Sequence, residues 1–138
     1  FDIDVVTANS AENPVYYVQY ANARINSIFR NAESQGLDVL SLEKRDMSPL
    51  RGEEEMALIK KLLVYPIVLE GAAKAHEPHR ITFYLQELAG MFHPYYHKYR
   101  VIGDDPETTM ARLALCGAVK TVLNDALLIL GVTSPERM

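Results

Sequence analysis

From Met110 to Leu130 the sequence reads "MARLALCGAVKTVLNDALLIL", apolar on nearly every side of an α-helix. Such a helix is stable only when other elements surround it. The chain must therefore supply several amphipathic partners for one central helix. A lipid bilayer could also cover an apolar helix, but Lys120, Asn124 and Asp125 break this run too early for it to span one. Signals for a start and a stop bracket the run. Asp105 precedes Pro106 and Glu107, so a capping side chain is followed by the one residue whose missing N–H costs nothing in the first turn. Gly131 and Pro135 end the run.

The partners are legible in the same way. Asn13-Pro14 opens a helix that runs to about Gln35, with Gly36 as a left-handed stop. Within it Val18, Ala21, Ile25, Ile28 and Ala32 step by three and four along one face. Residues 37 to 52, which include "RDMSPLRG", read as a connection. A second helical stretch follows the acidic start Glu53-Glu54-Glu55, where the helix dipole favours negative charge. Pro66 predicts a kink or break near Val64-Tyr65. A third stretch begins at Pro78, and Pro94 is expected to interrupt it. The weak alternation of "FDIDVVTA" suits a short strand or the tail of a preceding segment, and a start on Phe1 suggests a fragment. With 138 residues, 49% of them hydrophobic, the chain can bury the core of one domain. The expected fold is all-α: a helical bundle of about four long helices, some kinked at proline.

Few residues invite catalysis. The lone Cys116 lies in the apolar run, with no cation or helix start beside it to activate the thiol. His93 and His97 are four apart, but the HExxH pattern is missing and Pro94 distorts the spacing, so the pair reads as a surface or capping feature. His76 and His79 flank Pro78 and read no differently. There is no glycine-rich phosphate loop and no GxSxG. The Glu53-Glu54-Glu55 run reads as a solvated helix start. No catalytic residue and no metal ligand is therefore assigned. The acidic N-terminus does not read as a signal peptide.

A net charge of -4 rules out a surface that coats nucleic acid indiscriminately. A local site remains open, and two stretches fit one. In "NPVYYVQYANARI", Tyr17, Tyr20 and Arg24 fall within roughly 60° of each other around a helix. They form a stripe at the edge of the apolar face. In "FHPYYHKYR", Tyr95, Tyr96 and Tyr99 alternate with Lys98 and Arg100. Six of the eight tyrosines sit in these two stretches. Aromatic rings stack on unpaired bases, and arginine stacks or grips phosphate and base edges with its fork of donors. A tyrosine-rich protein interface would have a similar composition.

"NPVYYVQYANARI" closely resembles the segment that opens the C-terminal anticodon-binding domain of arginyl-tRNA synthetases. "LAGMFHPYYHKYRVI" and "ARLALCGAVKTVLNDALLILGVTSPERM" resemble its third landmark and its last helix with the chain end. The likeness covers residues 9 to 138 in the family's order. It implies an all-helical domain of the DALR type, with residues 1 to 8 as the link from a catalytic domain that precedes Phe1. The parent enzyme would be a class I aminoacyl-tRNA synthetase joining arginine to its tRNA, with ATP and magnesium bound in that other domain. This chain alone would be inactive and carry no cofactor.

The resemblance implies tRNA-binding roles for Tyr17, Tyr20 and Arg24, then Tyr96 and Arg100, then Met138 at the chain end. Asn22 stands where bacterial relatives often have histidine; it is expected to face near Tyr17 and Arg24, with no change of function. The implied partners are the anticodon loop of an arginine-accepting tRNA and the catalytic domain, with no DNA and no membrane, in the cytoplasm. Two other readings remain: the anticodon-binding domain of another class I synthetase, and a helical protein-interaction module.

Overall fold

Both asparagine or aspartate plus proline signals start helices in the computed structural model, which describes residues 1–138. The elements are α1 (Ile3–Thr7), α2 (Pro14–Ser34), a short 3₁₀ turn at Leu42–Lys44, α3 (Glu53–Leu63), α4 (Tyr65–Ala75), α5 (His79–Lys98) and α6 (Pro106–Ile129), with no strand. Asn13 Oδ1 accepts from the Val15 amide at 3.1 Å, which satisfies a free donor of the first turn. Its Nδ2 donates to the carbonyls of Val6 and Ala8 and so fixes the approach of the chain. Asp105 Oδ2 accepts from the Thr108 amide at 3.2 Å in the same manner. Gly36 (φ +77°) and Gly131 (φ +71°) supply the left-handed stops.

Two expectations about the backbone need correction. The N-terminal segment is helical, not extended: Asp2 caps it by accepting from the Asp4 amide at 3.0 Å, and no second strand exists for it to pair with. Pro94 does not interrupt α5, which passes through it. Pro94 and Gly90, four residues earlier, both lie on the exposed side. The Gly90 carbonyl that loses its donor therefore faces water, which can replace it. Pro66 does break the chain: Val64 separates α3 from α4.

α4 ends on His76 at φ 56°, ψ 42°, a left-handed position held by a side chain other than glycine. The Glu77 amide closes the turn on the Ala72 carbonyl at 2.9 Å. An L-residue there is strained by about 1–2 kcal/mol, part of which glycine would return as backbone entropy. His76→Gly is expected to raise the urea midpoint by the equivalent of about 0.5–1 kcal/mol.

One cluster of 27 buried residues holds the helices together. α6 runs through its middle and contributes Leu113, Leu115, Cys116, Val119 and Leu123, none of them exposed. α2 and α5 pack on each other and on α6, α3 packs on α5 and α6, and α4 lies on α5. Burial pushes the Cys116 thiol up to about 12, which keeps it protonated and inert. Lys120 interrupts the apolar helix for a reason: its Nζ donates to the buried Asn26 Oδ1 at 2.7 Å and ties α6 to α2.

The acidic start of α3 is only partly solvated. Glu53 is exposed, but Glu55 is buried at 2% exposure. Its Oε1 accepts from Arg112 Nε at 2.8 Å and from the Tyr95 hydroxyl at 3.5 Å, and its Oε2 from the Gly52 amide at 2.9 Å. Glu54 takes Lys98 and the Tyr99 hydroxyl, which hold its carboxyl down at about 2.

Candidate nucleic-acid interface

The face of α2 that buries Val18, Ala21, Ile25 and Ile28 leaves Tyr17, Tyr20 and Arg24 at its edge, half-exposed. α5 does the same opposite: Leu85, Ala89 and Phe92 go into the core, and His93 and Tyr96 line the seam. Arg24 joins the two edges. Its guanidinium carbon lies 4.2 Å from the Tyr96 ring centre and 4.8 Å from the Tyr20 ring centre. Both distances allow cation–π attraction. Arg24 Nη1 donates to His93 Nδ1 at 2.8 Å, and Nη2 reaches the Tyr20 hydroxyl at 3.5 Å. The Tyr16 ring stacks on Tyr20, 6.2 Å between centres and 12° between planes.

Three open clefts meet around this sandwich. One of about 370 Å³ is walled by Tyr16, Tyr17, Tyr20 and His93. A second of about 310 Å³ lies between Tyr20, Arg24, Arg30 and Tyr96 and the terminal Arg137 and Met138. A third of about 780 Å³ runs past Tyr96 along Asn31, Gln35 and Arg100. Tyr20 and Arg24 border the first two, and Tyr96 borders the last two. The result is one continuous concave surface with ring edges and guanidinium groups along it.

The charge pattern singles out the same surface. Arg45, Lys61, Lys74, Arg80, Lys98 and Arg112 each have a carboxylate within 4.0 Å. Arg24, Arg30, Arg100 and Arg137 have none, and all four line the second or third cleft. Arg51, Lys44, Lys60 and Lys120 have none either and lie outside these clefts, so a chain of net charge -4 gathers four of its eight carboxylate-free cations at this one surface. That is the local electrostatic footprint an anionic partner needs.

The C-terminal tail reaches this surface along α2. Gln19 Nε2 donates to the Thr133 carbonyl at 2.9 Å, Asn22 Nδ2 to the Pro135 carbonyl at 3.0 Å, and Arg30 Nη1 to the Glu136 carbonyl at 3.4 Å. Asn22 therefore faces the tail, at 1% exposure, and not Tyr17 and Arg24, near which it was expected to lie. Five residues after Tyr17, it points to another side of the helix.

Of the residues singled out in the sequence, Tyr20, Arg24, Tyr96 and Met138 share the second cleft. Tyr17 stands one cleft over with its ring centre 4.6 Å from that of His93, and Arg100 lies beyond Tyr96 in the third. Tyr95 is fully buried, and Lys98 is turned to Glu54. His93 was missed. Read as a surface or capping residue, it is buried at 7% exposure. The spacing Leu85, Ala89, His93 carries that signal, since steps of four keep to one helix face. Burial lowers its pKa and Arg24 and His97 push the same way, against the Tyr17 carbonyl, so the ring is neutral at neutral pH. Nδ1 accepts from Arg24 and Nε2–H donates to the Tyr17 carbonyl at 3.2 Å. Neither nitrogen is left for a metal.

A family model described as the DALR anticodon binding domain matches residues 18–138. The chain is 56% identical over 138 residues to an arginine–tRNA ligase of Syntrophotalea carbinolica and 52% identical to one of Geobacter metallireducens, spanning 25% of the length of each. Its fold is similar to a structure of a putative arginyl-tRNA synthetase from Campylobacter jejuni, with TM-score 0.86 and 29% identity, covering all of this chain and 29% of that one. The Thermus thermophilus arginyl-tRNA synthetase matches with TM-score 0.76 and 28% identity over 96% of this chain and 22% of that one.

Proposed function

The chain belongs to the DALR anticodon-binding domain family, and on that premise we propose that it holds the anticodon loop of an arginine-accepting tRNA for an arginine–tRNA ligase. One observation supports this reading above the others: Arg24 lies between the Tyr20 and Tyr96 rings in an open cleft, beside three more arginines that have no carboxylate partner. Unstacked bases would lie on Tyr17, Tyr20 and Tyr96. Arg24 would take a base edge or a phosphate, Arg100 would serve the backbone running past Tyr96, and Met138 would close the second cleft. Residues 9 to 138 would form the binding domain and residues 1 to 8 the link to the rest of the protein. α1 fits a link because it buries none of its residues.

The chain spans a quarter of the length of these relatives, and in this reading the chemistry belongs to the rest of the protein. ATP, magnesium and arginine would bind in that catalytic part, and this chain alone would be inactive. Its contribution is binding energy: a loop gripped here fixes where the acceptor end lies, so remote contacts support the distant reaction. No helix is long and apolar enough to cross a membrane, and the cytoplasm is the proposed compartment.

The test is a mobility shift with the anticodon stem-loop of an arginine-accepting tRNA, against an unrelated stem-loop of equal length. The cognate loop should bind more tightly. Its log affinity should fall against log salt with a slope of about -2 to -3, at about -0.7 per phosphate contacted and four free arginines. Equal binding of both loops would overturn the reading.

A further inference from the structure

Among the groups around the clefts, one buried titratable side chain has no assigned role. Both ring nitrogens of His93 are committed, to two parts of α2. Arginine is always a donor, so Nδ1 must present a lone pair to Nη1 at 2.8 Å. That fixes the proton on Nε2, which donates to the Tyr17 carbonyl. The imidazole is also packed between rings, its centre 4.6 Å from Tyr17 and 5.7 Å from Tyr20. It therefore holds both the position and the orientation of the guanidinium that Tyr20 and Tyr96 sandwich.

We propose that His93 is the positioning residue of this site, keeping Arg24 presented to an unstacked base or phosphate while neutral and releasing it when Nδ1 takes a proton. The proposal rests on the RNA-binding reading above. The Tyr17 carbonyl is the one acceptor that favours an imidazolium here, and burial outweighs it. α2 presents Tyr16, Tyr17, Tyr20 and the Arg24 cation, and α5 presents Tyr96 and His97; no carboxylate lines the cleft beside the ring. A protonated Nδ1 would point its hydrogen at the Arg24 donors, and two cations would share one contact. Arg24 would then swing out of the sandwich.

The sign follows from the same contacts. Burial, opposed by the Tyr17 carbonyl and aided by Arg24 and the neighbouring His97, lowers the His93 pKa in the folded chain below its ordinary value. The lock is therefore intact above that ordinary value and is lost as pH falls through the lowered one.

The decisive experiment pairs loop affinity with a readout that needs no RNA. Anticodon stem-loop binding is measured from pH 8 to 5.5 at fixed salt for the wild-type chain, Arg24→Ala, His93→Leu and His93→Asn. Leucine removes the acceptor; asparagine keeps an acceptor near Nδ1 that does not titrate. Expected are a roughly tenfold loss for His93→Leu at pH 7.5, partial rescue by His93→Asn, and a fall with acidification that wild type shows and His93→Asn lacks. In parallel, ¹⁵N spectra of the free wild-type chain should show His93 Nδ1 unprotonated and hydrogen-bonded at neutral pH. The Arg24 guanidinium protons should lose their protection as it titrates.

The failures separate. If wild type and Arg24→Ala bind the loop equally, the RNA reading falls, and the spectra still decide whether the lock exists. If Arg24→Ala loses binding but His93→Leu binds like wild type with an unchanged pH profile, the lock is overturned. Variants that fail to fold leave the spectra to decide: a protonated Nδ1 at neutral pH overturns the proposal.

Discussion

Replacing Arg24 with alanine is expected to weaken binding of the arginine anticodon stem-loop by about 2–3 kcal/mol, a factor of roughly 30 to 150, with little change in fold. The estimate combines two losses. The guanidinium can no longer bond a base edge or a phosphate, a charge-assisted contact worth roughly 1.5–3 kcal/mol. The Tyr20 and Tyr96 rings also lose the cation that spaces them, 4.8 and 4.2 Å from their centres. They can then close on each other and fill the cleft. Stability should suffer less, because Arg24 is half-exposed and lies outside the buried core. Arg24→Lys should recover only a small part, since an ammonium has neither the flat face nor the paired donors. Fluorescence anisotropy at one fixed salt concentration gives the comparison. Affinity within twofold of wild type for Arg24→Ala would remove the residue from the site.

The stripe that leads to this prediction was legible because its cause is local. Helical spacing alone puts Tyr17, Tyr20 and Arg24 beside the seam of Val18, Ala21 and Ile25. The caps at Asn13 and Asp105, the stops at Gly36 and Gly131 and the break at Pro66 are local as well, each decided by one residue and its neighbours. What escaped depends on partners distant in sequence. His93 is defined by Arg24, 69 residues away, and Glu55 by Arg112, 57 residues away. Asn22 is defined by a tail more than a hundred residues later. Pro94 was misjudged because its effect depends on which side of α5 faces water. The second tyrosine cluster shows the same limit: composition grouped Tyr95, Tyr96 and Tyr99, but only Tyr96 reaches the sandwich, while Tyr95 is core and the Tyr99 hydroxyl serves Glu54.

Glu55→Ala should destabilise the fold by about 3 kcal/mol, because removing one partner of a buried pair leaves the other without compensation. Three donors depend on this carboxylate: Arg112 Nε, the Gly52 amide that opens α3, and the Tyr95 hydroxyl. The Arg112 side chain keeps 21% exposure, so water can reach it and the loss should stay near the lower end for such pairs. Glu55→Gln should cost less, since an amide oxygen can still accept from Gly52 while the charge on Arg112 goes unanswered. A double change to Glu55→Leu with Arg112→Leu should cost less than Glu55→Ala alone, because it removes the stranded cation along with its partner. The pair also bears on the binding surface. Arg112 Nη1 donates to the Arg100 carbonyl at 2.9 Å, so the carboxylate that orients Arg112 steadies the turn from which Arg100 enters the third cleft. Glu55→Ala should therefore weaken loop binding somewhat even where the chain is still folded, and most at low salt, where a phosphate contact counts most. Urea titrations of the three variants give the order of stability. An alanine variant as stable as wild type would mean that Arg112 finds water or another acceptor at no cost, and that the buried carboxylate does not hold α3 to α6.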